Sequence, residues 1–130
     1  MKKLHVLFVV LLGVSFLFAS TPKNNSTDSV DWTKAEKNYK ANLKSDNNGV
    51  ITSAAGYIRK YKLSGATEEL KSLLTKEKAE NVKMSAALAL ISVGGEDGRT
   101  AVENALEKEE SEIVVVFYRS ILNISVASGQ

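Results

Sequence analysis

Seven residues recur at one offset of 32: Val50, Ser53, Ala54, Ala55, Ile58, Leu70 and Leu74 are matched in size or polarity by Val82, Ser85, Ala86, Ala87, Leu90, Val102 and Leu106. Within each copy the apolar members fall three or four residues apart, and a glycine-containing turn breaks the run once. That is the pattern of two short amphipathic helices folded back on each other. A fixed period in the thirties marks an array of helical hairpins, because one hairpin cannot bury both of its apolar faces and must stack on a neighbour. The chain is therefore expected to be all-α, with its best-formed unit at residues 81–106, turning at Gly94-Gly95-Glu96-Asp97. Small residues at Ala54, Ala55, Ala86 and Ala87 let neighbouring helices approach closely.

The offset extends to both edges. Ala35, Tyr39 and Leu43 lie 31 residues before Ala66, Leu70 and Leu74, so a first helix starting at Trp32, with Asp31 as its N-cap, reads as the second half of an incomplete unit. The Asn48-Gly49 pair is expected to close it. Beyond Glu110, Ile113, Phe117 and Ile121 lie 31 residues after Val82, Ala86 and Leu90, which makes that segment a further first-half helix. The expected domain, residues 31–130, is a short α-solenoid of about five helices: a half unit, two whole units and a half unit. Residues 113–118 leave helix and strand both open, since three consecutive Val favour a strand. If helical, the run is apolar on every side. It is then either covered by the rest of the chain, the preferred reading, or an uncapped edge that binds a partner through residues such as Val115 and Leu122.

The central stretch resembles the short HEAT-like repeats found in phycobilisome lyases and many bacterial repeat proteins. Val82-Lys83, Ala86-Ala87, Ala89-Leu90, the Gly94-Gly95-Glu96-Asp97 turn, Val102 and Ala105-Leu106, followed by an acidic linker, carry the resemblance across residues 49–122. Lys83 stands where that family usually has Arg, and Gly56-Tyr57 interrupts the Ala-rich pattern of the earlier copy. The resemblance implies a fold and little about activity, since such repeats host unrelated tasks.

Ahead of the repeats, Lys2 and Lys3 precede an apolar run over residues 4–19 that ends in small residues, the layout of a secretory signal over residues 1–20. Its 16 residues are short for spanning a bilayer, although an uncleaved anchor remains open because Leu17 and Phe18 are not small. Residues 21–30, with Pro22 and several Asn, Ser and Thr, read as a linker. Export to the periplasm or beyond is expected, with no membrane contact once the signal is cleaved. Asn24, Asn25 and Asn123 each begin an Asn-x-Ser/Thr triplet, but the short signal has a bacterial look and glycosylation is not favoured. Two of the 17 bases leave with the signal, so 15 face 15 acids, and nucleic-acid binding is not expected. Residues 23–62 hold eight bases and four acids, whereas residues 63–110 hold six and ten.

There is no Cys, and the one His, His5, lies in the signal. Thiol and imidazole nucleophilic machinery and the usual zinc sites are excluded from the mature chain, and no metal or cofactor is expected. Carboxylate or Ser-Lys chemistry stays formally open, yet no spacing singles out a pair. The acidic linker 107–112 lacks the alternating ligands and Gly of a calcium loop. Trp32, Tyr39, Tyr57 and Tyr61 suggest ligand stacking near Lys40, Arg59 and Lys60, but their helical spacing favours core packing. The second helices of the units are expected to present Lys34, Lys37 and Lys44, then Glu68 and Lys71, then Glu103 and Glu107. That would be a face graded from positive to negative, suited to a charged protein segment or a second copy head to tail, against a plain solvated surface as the alternative. The expectation is an exported, non-enzymatic protein-binding module. The alternatives are a lyase-like or carboxylate-based enzyme and a small accessory subunit of an envelope assembly.

Overall fold

The computed structural model describes residues 29–75 and 78–127, so the expected signal and most of the linker lie outside the described residues. Six α-helices follow one another: α1 (Trp32–Asn42), α2 (Asn48–Lys60), α3 (Thr67–Ser72), α4 (Glu80–Val93), α5 (Gly95–Lys108) and α6 (Glu112–Ala127). A single 3-10 turn, Ser64–Ala66, leads into α3, and no strand occurs among the described residues. The all-α class is thus observed. The helix count exceeds the expected five because a half, two wholes and a half already contain six.

Local chemistry sets the boundaries. The Asp31 carboxylate caps α1 by accepting from the Lys34 N–H at 3.1 Å. Asn48-Gly49 opens α2 rather than closing α1: the Asn47 side chain accepts from Gly49 N–H at 2.8 Å and Val50 N–H at 3.2 Å, so the amide acts as an N-cap. The second helix of the first unit is short. Thr67 donates its hydroxyl to the Ser64 carbonyl at 2.7 Å and Ser72 to that of Glu69 at 2.6 Å, local bonds that compete with helix continuation, and Leu73 and Leu74 lie in a turn. The segment 113–118 is helical within α6, so burial of Val114 and Tyr118 overrides the strand preference of three Val.

Helix α4 is central, packing against α2, α3, α5 and α6. Its Val82, Ala86, Ala87, Ala89 and Leu90 are fully buried. The packing also corrects the register at the C-terminal edge. Val114, Tyr118 and Leu122 are buried, 32 residues after Val82, Ala86 and Leu90, whereas Ile113, expected at the core from a 31-residue offset, is 62% exposed. The 32-residue step therefore runs unbroken through α2, α4 and α6. Between α4 and α5 there is hardly any loop: Gly94 ends one helix and Gly95, at φ +56°, starts the other. A Cβ on Gly98 would lie 2.5 Å from the Leu90 carbonyl oxygen, so this hairpin closes only around a bare backbone.

Candidate binding surface

At equivalent positions in successive helices, Val50, Val82 and Val114 are exposed, buried and buried. Tyr57, Ala89 and Ile121 follow the same sequence. The difference has a simple cause: α4 and α6 each have a preceding first-half helix to lie against, and α2 has none among the described residues. Its free face carries the aromatics. Trp32 and Tyr61 have ring centroids 4.8 Å apart, Tyr61 and Tyr57 lie 6.1 Å apart and nearly parallel, and Tyr57 and Tyr39 are 5.4 Å apart. Core packing was expected for these four, and the structure corrects it: Trp32, Tyr57 and Tyr61 are exposed and Tyr39 half-buried, forming a continuous aromatic row on the surface. Helical spacing places residues on one face and cannot say whether a neighbour covers that face. Below the row, Tyr39, Val50, Ala54 and Tyr57 line a shallow groove of about 480 Å³.

Beside this face runs the basic ridge of α1. Lys34, Lys37 and Lys44 are all exposed, as the sequence suggested. Lys37, Lys40 and Lys44 border a second groove of about 530 Å³, where Lys40 reaches Glu69 at 3.3 Å. Further along, Lys71 links Glu68 of its own helix at 3.0 Å to Asp97 of α5 at 3.1 Å, and both carboxylates raise its pKa, Glu68 foremost. Glu103 is held by Arg99 at 3.1 Å, and Glu107 is exposed. The charged positions thus lie on α1 and the turn after it, on α3 and on α5, in part already tied into ion pairs.

Two C-terminal candidates do not behave as accessible contacts. Leu122 is buried and its carbonyl accepts from Arg99 Nη1 at 3.2 Å, which makes it a packing residue. Val115 is half-buried, and the exposed apolar positions of α6 are instead its neighbours Ile113 and Val116, the latter 60% exposed.

One polar constellation was not legible in the sequence. Lys83 Nζ sits 2.8 Å from both carboxylate oxygens of Glu109, with both side chains 5% exposed. Glu109 also accepts from the N–H groups of Glu110 at 3.1 Å and Ser111 at 3.0 Å, at the entry to α6. Burial pushes its carboxyl pKa up, but the Lys83 ammonium and the two N–H groups outweigh that and hold it below its ordinary value. The pair pins the α5–α6 corner to α4. Nearby, the buried Tyr118 hydroxyl has no hydrogen-bond partner, and burial together with the Glu109 charge raises its pKa. In the sequence Glu109 was one acid within EKEESE and looked solvated. Only the tertiary approach of Lys83, 26 residues earlier, distinguishes it.

No protein-family model, curated protein or solved structure matches the chain.

Proposed function

We propose that this chain is an exported, non-enzymatic protein-binding module, built as a short α-solenoid of HEAT-like layers, that engages its partner through its open end and the adjoining basic ridge. One observation carries the reading. Every exposed large hydrophobic residue among those described, namely Val30, Trp32, Val50, Tyr57, Tyr61, Ile113 and Val116, falls on or beside α1, α2 or α6, and none on the middle helices α3 to α5. Aromatic side chains offer large contact area for little lost conformational freedom, and contiguous exposed apolar surface marks interaction sites. The lysines of α1 add long-range attraction for an acidic partner surface. The buried carboxylate Glu109 is held as an anion by Lys83, the arrangement of a structural ion pair rather than of a proton donor.

Affinity capture from envelope extract tests the proposal, with wild type beside a Lys34→Glu/Lys37→Glu/Lys44→Glu variant and a Tyr57→Ser variant. The expected outcome is a partner retained by wild type and lost from both variants. Turnover in a hydrolase screen with no retained partner would overturn it. Recovery of the chain in the envelope fraction with its N-terminus near Thr21 is the expected mark of export.

A further inference from the structure

Among the described residues the series of helices begins on a second-half helix, α1, and ends on a first-half helix, α6. Within that series each end is short of the half unit that the other end carries. We propose that copies of this chain stack head to tail, with α6 of one copy lying against the free face of α2 of the next, and α1 of that next copy serving as the missing hairpin partner of α6. This rests on the binding-module reading and names its partner as a second copy.

Three observations converge on that occupant. Burial shows the vacancy at the front: Val50 and Tyr57 are open where Val82 and Ala89, one layer on, are fully covered. It shows the matching vacancy at the back, since Lys83 and Val115 occupy equivalent positions and α6 leaves Val115 half-buried and Val116 exposed. The charges are complementary as well. Residues 32–44 carry four lysines against one glutamate, whereas α5, beside which the incoming α1 would lie, carries four acids against Arg99 and Lys108.

The internal register makes the pairing specific. Within the chain, Lys71 of α3 holds Glu68 on its own helix and reaches across to Asp97 on the next second-half helix. One layer further on, Glu103 takes the place of Lys71, 32 residues later, and Lys34 takes the place of Asp97, through Gly65 at the same 32-residue step and then the 31-residue step to α1. Glu103 already holds Arg99 on its own helix and remains half exposed. Across the junction it meets Lys34 of the incoming copy, so the ion-pair network repeats with its signs exchanged. Because this contact is heterologous, it propagates into open chains instead of stopping at a symmetric pair.

Sedimentation velocity over a concentration series, on the protein as it accumulates in cells, tests this. Wild type is expected to grow beyond a dimer as concentration rises, and to shrink towards monomer as salt screens the junction. Lys34→Glu and Glu103→Lys place like charges opposite each other and should each weaken growth about tenfold or more. An equal mixture of the two variants restores opposite charges at every mixed junction and should recover growth. Tyr57→Lys should leave a folded monomer by circular dichroism. A wild type that is monomeric throughout, an assembly that stops at a dimer, or a mixture without recovery would each overturn the proposal. A monomeric wild type that still retains an envelope partner through Lys34, Lys37 and Lys44 would sink self-stacking alone and leave the binding-module reading standing.

Discussion

At the scale of single residues, two side chains matter for reasons their neighbours in sequence do not reveal. Lys83 and Glu109 form a buried ion pair, and removing one partner strands the other charge away from water. Lys83→Met should lower the free energy of unfolding by about 3 kcal/mol at neutral pH, read from urea denaturation. The same variant should change the acid limb. Glu109 has a folded-state pKa below its ordinary 4.5, so its contribution to stability is present above that value and is lost as pH falls through the lowered folded one. Without the Lys83 ammonium the depression shrinks, and the fall in stability below pH 4.5 should be shallower than in wild type. Lys62 illustrates backbone strain: it sits at φ +56°, just past α2, where Leu63 N–H reaches back to the Ile58 carbonyl at 3.0 Å. Glycine is the residue suited to that left-handed position. Lys62→Gly should raise stability by about 1 kcal/mol in thermal melts, less what the Lys62–Ser92 hydrogen bond contributes.

At the scale of the element, the α4–α5 hairpin is the tightest joint. The Gly94-Gly95-Glu96-Asp97 turn was readable from composition, because clustered glycine and acid break one helix and start another. The demand on Gly98 was not, because it comes from the Leu90 carbonyl packed against it from the preceding helix. Gly98→Ala inserts a methyl group where only backbone can yield. It should cost about 1–3 kcal/mol by denaturant titration despite the better helix propensity of alanine. At the exposed Gly56 of α2 an added methyl group would meet nothing within 4 Å, and the same substitution there should instead gain stability. The two changes together separate packing from propensity within one protein.

At the scale of the whole molecule, stability in a stacked array is shared between adjacent layers, and losing a terminal layer exposes the one beneath. Ending the chain at Lys108 removes α6, which packs on both α4 and α5, and with it the Glu109 anchor. Such a truncation should lose the cooperative thermal transition followed by circular dichroism, whereas a chain ending after Ala127 should keep it. The recurrence of Val50, Ala54 and Ile58 at Val82, Ala86 and Leu90, 32 residues on, was enough by itself to determine an all-helical chain, since its apolar positions fall at helical spacing, whereas the register of the last helix, expected at 31 residues, was set by the burial of Val114, Tyr118 and Leu122. Composition alone also determined that no thiol or imidazole follows the N-terminal segment. Which of those apolar faces finds a neighbour was left to packing. Val50 and Val82, or Tyr57 and Ile121, occupy equivalent places along their helices, and their burial differs because, among the described residues, a first-half helix precedes α4 and α6 but not α2. Periodicity records the face a helix turns towards its neighbours. Whether a neighbour is there is a matter of packing, and among the described residues no earlier helix covers α2, which is why the aromatic row expected in the core lies open.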